Sequence, residues 1–225
     1  MNRFESDPGA QRLRYGLAVA CALCWVLGFA SILPREVAAQ TLTIAETEAL
    51  VRAVYFEGLP EDEARRIGPA GAERLIEMLN DPEEASAHSN TLLALGLSGQ
   101  PGAFRAMSDW ASAAREGEID RNTFRAWRVL PYALGHIAQH DRRAVVRLEA
   151  LLDAESPNWS FRHHRGARLH RLARRAAATA LGLSGLPESG AALDRAGRRA
   201  SDLAFEEHLR SARALHRQRA ATRQQ

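Results

Sequence analysis

The segment ALGLSGQP at residues 94–101, called the ALG phrase below, is the strongest indication of the fold class because it recurs along the chain. It returns as ALGHIAQHD at residues 133–141 and as ALGLSGLP at residues 180–187, and a weaker relative, ARRIGP, precedes them at residues 64–69. The glycines of these four phrases are 28, 39 and 47 residues apart. Recurrence at such spacings, with another apolar helical stretch after each copy, indicates stacked helical hairpins.

Each copy has the residues that end one helix and begin the next. Alanine and glycine allow a second helix to approach closely, and the Ser-Gly or His-Asp step supplies a helix stop and a new N-cap. Pro101 and Pro187 follow at positions that suit the first turn of a helix. Thr43 with Glu46 forms a predicted capping box, and Asp81 opens a further helix. Second helices are predicted over residues 70–79, 101–114, 142–152 and 188–200, which gives four helix pairs.

The ALGxxG phrases at residues 94–99 and 180–185, each followed by proline and an Ala/Leu-rich helix, resemble HEAT repeats of the short bacterial type also found in phycobilin lyases. The similarity covers about residues 60–200, with longer inserts at residues 115–120 and 153–166. It implies an all-α fold, a short α-solenoid whose concave face binds other macromolecules. It does not specify a ligand.

The predicted organisation is a repeat region over residues 40–200, a capping helix over residues 201–220 and a frayed tail over residues 221–225. The capping helix has one apolar face, and a predicted i,i+4 ion pair joins Glu206 to Arg210 on the other. Its apolar face consists of Phe205, His208, Leu209, Ala212 and Leu215.

Charge is distributed unevenly along the chain, although the net charge is only +3. Residues 40–120 contain 6 arginines and 15 acidic residues, whereas residues 121–225 contain 20 arginines and 9 acidic residues. All 30 basic residues are arginine. Such a gradient steers an anionic partner to the basic half or favours head-to-tail self-association.

The N-terminus has the three parts of a targeting segment. Arginines precede an uncharged apolar run at residues 15–33, and Pro34, Val37 and Ala39 follow it. Cleavage after Ala39 would make this a signal peptide, but 19 apolar residues also approach the length of a membrane anchor. Both interpretations place residues 40–225 outside the cytoplasm, in a periplasmic or membrane-anchored protein. Cys21 and Cys24 lie inside the run and are interpreted as small apolar residues.

The strongest candidate site is a cationic ridge near residue 170. His164, Arg168, Arg171 and Arg175 are spaced at offsets of 4, 7 and 11, so on one helix they would form a ridge ~16 Å long. Because arginine binds oxyanions in pairs, the ridge predicts a site for phosphate headgroups, acidic glycans or an acidic protein. The alternatives are a solvated helix face and a surface that pairs with the acidic half. The flanking candidates are Trp159, Arg162 and Arg165, and Trp159 and Phe161 are expected to supply stacking contacts.

Other motifs predict no catalytic residue, cofactor or metal. His136 and His140 have the spacing of a zinc pair but no third ligand or HExxH context, and no GxSxG occurs. Nucleic acid would fit the charge pattern, but export argues against it. The sequence therefore predicts a non-enzymatic binding scaffold. A bilin-lyase-like enzyme or chaperone, and a structural protein that assembles end to end, are the alternatives.

Overall fold

The computed structural model describes residues 40–223. The predicted targeting segment lies outside the described residues and stays a prediction. Among residues 40–223, no helix has both the length and the apolar character needed to cross a bilayer.

The fold is all-α, as predicted. Within residues 40–223 there are ten α-helices and one short 3-10 helix, Pro82–Glu84. The α-helices are α1 Ile44–Arg52, α2 Glu61–Ala64, α3 Pro69–Asn80, α4 His88–Ser98, α5 Ala103–Ser112, α6 Arg121–Ile137, α7 Arg143–Asp153, α8 Gly166–Ser184, α9 Pro187–Arg199 and α10 Leu203–Thr222. Two strands of two residues each, β1 Gly117–Glu118 and β2 Trp159–Ser160, complete the described elements.

The helix ends follow from local sequence. Thr43 and Glu46 form the predicted capping box of α1, and Asp120 accepts two backbone N–H bonds at the start of α6. Pro187 occupies the first turn of α9 as predicted. Pro101 does not begin α5, because the chain first turns through Gly102 at a φ of 87°. Gly99 and Gly185 end α4 and α8 with φ values of 65° and 62°, a conformation that glycine adopts without steric cost.

The recurrent ALG phrase marks the places where helices pack most closely. Helices α4, α6, α8 and α10 contact one another in chain order, and each glycine of the phrase faces an alanine of the next helix. A Cβ atom at Gly96 would overlap the backbone carbonyl of Ala133. One at Gly182 would lie 2.6 Å from the carbonyl oxygen of Ala212. Only a residue without a side chain therefore permits these helix separations.

The remaining long helices pack on the outside of this row. Helices α3 and α5 contact each other, as do α7 and α9, and each contacts helices of the first row. One continuous hydrophobic core runs between them from Leu50 to Ala212.

The two sequence inserts form a feature that the sequence did not predict. Strand β1 from the first insert pairs in parallel with β2 from the second, with Gly117 opposite Trp159 and Glu118 opposite Ser160. This short ladder ties the connection before α6 to the connection before α8.

The end of the chain differs slightly from expectation. Helix α10 continues to Thr222, two residues into the predicted frayed tail. Its predicted face is buried at Phe205, Leu209 and Ala212. The predicted ion pair between Glu206 and Arg210 does not form among the described residues, so that part of the prediction is wrong.

Candidate anion-binding recess

The second insert is held against α6 by aromatic rings. Phe161 stacks on Phe124 with ring centroids 4.1 Å apart and planes 13° apart, and Trp159 meets Trp127 edge to face at 4.9 Å. Such aromatic pairs add about 0.5–1.5 kcal/mol each to the burial of their surface. Trp159 and Phe161 therefore contact the protein itself, where the sequence predicted rings available to a ligand.

His164 lies outside the helix that was predicted to carry it. Helix α8 begins at Gly166, and His164 precedes it in a tight turn where its backbone pairs with Phe161. Its ring meets Phe124 edge to face at 5.5 Å. The predicted continuous ridge thus begins only at Arg168.

The predicted arginines divide between the turn and the helix. Arg168, Arg171 and Arg175 are exposed along α8. Arg165 caps the start of α8 without a side-chain bond. Arg162 has a φ of 46°, and its backbone N–H donates to the Glu118 carboxylate over 3.1 Å. Its guanidinium lies 5.6 Å from the Phe161 ring centroid.

Within residues 40–223, these five arginines form no ion pair. Nine other arginines of the described residues do form ion pairs, as Arg195 does with Glu149 and Arg52 with Glu84. Six acidic residues of the N-terminal half, Glu48, Glu61, Asp62, Glu77, Glu84 and Asp109, pair with arginines of the same half. Among the described residues, none of the five guanidinium groups forms an ion pair with an acidic side chain of residues 40–120, although the backbone N–H of Arg162 bonds to Glu118. The unpaired set comprises Arg162, Arg165, Arg168, Arg171 and Arg175.

Helix α6 contributes two further arginines that the sequence interpretation missed. Arg125 and Arg128 are exposed and, among the described residues, also form no ion pair. Burial is the main cause that lowers the pKa of His164 below 6.5, followed by the charges of Arg168 and Arg128. Arginines of α6 and α8 therefore share one electrostatic environment around this ring.

A small cavity lies between parts of α6 and α8. Its volume is about 150 Å³. Arg128 and Arg175 stand among its lining residues, whereas most of the wall is apolar. The apolar lining is Trp127, Leu130, Pro131, Leu151, Leu172, Ala173 and Ala176.

Helix α10 reaches the same cavity through His208. The His208 Nε2–H donates to the carbonyl oxygen of Arg175 over 2.9 Å and lies 3.1 Å from the Thr179 hydroxyl oxygen. The Thr179 hydroxyl donates to that same carbonyl over 3.1 Å. Since the Thr179 hydroxyl and His208 Nε2 bond within the protein, the guanidinium groups are the charged donors that the cavity offers a ligand.

A wider groove continues from the cavity toward α1. Its volume is about 600 Å³, and it shares Arg128 and Tyr132 with the cavity. Arg125 lies in its wall, as do Ser89 and Asn90 of α4. We call the cavity and the groove together the recess.

The histidines considered as metal ligands do not assemble into a site. Among residues 40–223, no group of three or more His, Cys, Asp or Glu side chains could hold a metal ion. His136 is half-buried, and burial is the main cause that lowers its pKa below 6.5. The His140 ring packs against Gly99, where it fills the space that a Cβ would need.

The described residues form an all-α fold with a recess to which α6 and α8 contribute arginines. No protein-family model, no curated protein and no solved structure matches the chain.

Proposed function

We propose that this protein is a non-enzymatic binding scaffold that holds an acidic polypeptide in the recess, which consists of the cavity between α6 and α8 and the adjoining groove between α6 and α1. The observation that carries the proposal is that Arg125 and Arg128 of α6 and Arg175 of α8 line this recess and have no ion-pair partner among residues 40–223. Arg128 and Arg175 line the same cavity, so their like charges repel each other, and an anionic partner would relieve that repulsion. Arginine suits the role because its planar fork binds carboxylates through two bonds.

We also propose that the helices form a short HEAT-like α-solenoid of four pairs capped by α10. The support is the contact of α4, α6, α8 and α10 in chain order, with α5, α7 and α9 each following its inner helix. The close glycine-to-alanine approach at each step gives the repeats a common spacing. In such an arrangement the recess would lie on the inner face, which repeat proteins use for binding.

The shape of the site favours a polypeptide over a membrane surface. Arg125, Arg128 and Arg175 line depressions, and a flat bilayer cannot follow the protein into them. An extended chain can enter a groove and place carboxylates on several arginines in succession. Extracytoplasmic location remains part of the proposal, supported by the basic and apolar N-terminal segment.

A charge-matched comparison tests the proposal. One variant replaces the recess arginines Arg125, Arg128 and Arg175 with glutamine. The control replaces Arg198, Arg210 and Arg217, which are exposed outside the recess and also have no ion pair among the described residues. Both variants lose three positive charges, so any effect of net charge alone is the same in each.

The probe is a fluorescent glutamate-rich polypeptide, measured by anisotropy at low and high salt with the full-length protein. We expect the recess variant to bind at least about tenfold more weakly and with a smaller salt dependence, while the control changes little. Equal weakening of both variants would show that binding follows net charge. Binding of phosphatidylglycerol vesicles that is stronger than binding of the polypeptide would favour a membrane instead.

The two alternatives from the sequence remain predictions. End-to-end assembly through opposite charges predicts sedimentation that depends on salt. A bilin-lyase-like activity predicts retention of an open-chain tetrapyrrole, which absorption spectroscopy would detect.

A further inference from the structure

The cavity between α6 and α8 remains unexplained by charge alone, because most of its wall is apolar. We infer that it receives one aromatic side chain of the acidic polypeptide, which anchors the partner while neighbouring carboxylates bind the arginines. The inference rests on the proposed function and specifies the partner: an extended acidic segment with a phenylalanine-type residue at its centre.

The cavity has the size of a single aromatic ring. A cavity of about 150 Å³ has the volume that accommodates a benzene-sized molecule. Pockets for whole small-molecule ligands or cofactors are usually larger, about 300–1,000 Å³. The cavity is therefore matched to a single ring, such as the side chain of one residue of a partner.

The cavity wall also has the chemistry that an aromatic side chain requires. Trp127 offers an aromatic ring, and Leu130, Leu172 and Ala176 offer aliphatic surface. The Thr179 hydroxyl and His208 Nε2 are bonded within the protein, so an apolar group entering here leaves these two atoms satisfied. Binding hot spots have this character, with an aromatic anchor in a pocket and charges around its edge.

The arginines of the cavity and the groove beside it suit an acidic chain on both sides of the anchor. Arg128 and Arg175 line the cavity from opposite helices, so carboxylates on either side of the anchor would each meet a guanidinium. The groove that shares Arg128 and Tyr132 with the cavity provides room for the chain beyond the anchor. A free aromatic acid would use the cavity but leave the groove empty.

Two peptides that differ in one residue test the inference. Both are capped pentapeptides, Asp-Asp-Phe-Asp-Asp and Asp-Asp-Ala-Asp-Asp, titrated into the full-length protein by calorimetry or ligand-observed NMR. Burial of a phenylalanine ring predicts roughly 10- to 100-fold tighter binding of the first peptide. Equal affinities would overturn the anchor while leaving the proposed function in place. No binding of either peptide would overturn both.

A cavity-filling variant locates the anchor. Ala176→Leu extends a side chain into the cavity, and Ala167→Leu makes the same change at an exposed position of α8. We expect Ala176→Leu to weaken the phenylalanine peptide about tenfold and to leave the alanine peptide within about twofold. Ala167→Leu should leave both unchanged, and circular dichroism checks that both variants fold.

Two results would contradict the inference at this step. Wild-type affinity of the Ala176→Leu variant for the phenylalanine peptide would place the ring elsewhere. Free 3-phenylpropionate that binds as tightly as the phenylalanine peptide would indicate a small aromatic acid as the occupant.

Discussion

Substitution of Gly96 by alanine tests the helix packing that places the recess. In an isolated helix this change stabilises by about 1 kcal/mol, because alanine has the higher helix propensity. Here the new Cβ would overlap the backbone carbonyl of Ala133 in α6. A backbone atom cannot rotate away, so α4 and α6 must separate.

The magnitude follows from these two opposing effects. Overpacking of a tight interface costs about 1–3 kcal/mol, and contact with backbone on the partner helix points to the upper part of that range. After the gain in helix propensity, Gly96→Ala should lower the free energy of unfolding by about 1–2 kcal/mol. For a protein of this size that corresponds to a fall of roughly 2–8 °C in Tm.

Gly197→Ala is the matched control. Gly197 also lies in a helix, α9, but its added Cβ would meet the end of the Arg213 side chain, which can move aside. That movement disturbs the Arg213 bond to the Leu193 carbonyl and its ion pair with Asp194, which offsets the gain in helix propensity, so we expect this variant to lie within about 1 kcal/mol of wild type. Thermal and urea denaturation of both full-length variants, followed by circular dichroism, measures the difference. If Gly96→Ala is as stable as Gly197→Ala, the close approach of α4 and α6 is not what the glycine provides.

Three further predictions concern the residues around the recess. Asp120→Ala removes the cap of α6 and should destabilise by about 1 kcal/mol in urea denaturation, with Asn expected to retain most of the stability. Phe161→Ala removes the stacking on Phe124 and should cost about 1.5–3 kcal/mol, and Phe161→Leu less; equal losses would argue against a role for the ring. The pKa of His164, measured by NMR, should lie below 6.5. Because the folded pKa is lowered, the contribution of neutral His164 to stability is fully present above pH 6.5 and declines as the pH falls through the folded pKa. An Arg168→Gln variant should raise the pKa of His164, and an unchanged pKa would argue against proximity of the two groups.

The sequence predicted the helical elements well because their signals are local. The capping box at Thr43, the helix stops at Gly99 and Gly185 and the first-turn Pro187 each depend on a few neighbouring residues. The repeated ALG phrase also indicated where small residues are needed. Which alanine each glycine would face depends on the packing of helices far apart in the sequence.

The candidate site was predicted only in part, for reasons that concern residues distant in sequence. The basic run at residues 162–175 was recognised, but Arg125 and Arg128 were not, since they alternate with aromatic residues in a mixed segment. Their spacing with Arg121 and Tyr132 on one face of a helix was a signal that could have identified them. The displacement of His164 from α8 reflects its turn with Phe161 and the stacking of that ring on Phe124, contacts that no local pattern indicates.

Whether an acidic polypeptide binds in the recess can be tested by locating a bound acidic peptide on the protein. Chemical-shift mapping by NMR during titration with Asp-Asp-Phe-Asp-Asp should move the Trp127 indole signal and the amide signals of Ala176 and Thr179, and leave those of the outer helix α9 unchanged. Shifts confined to α9 or to the exposed outer face of α10, or shifts spread evenly over all exposed arginines, would contradict a binding site between α6 and α8.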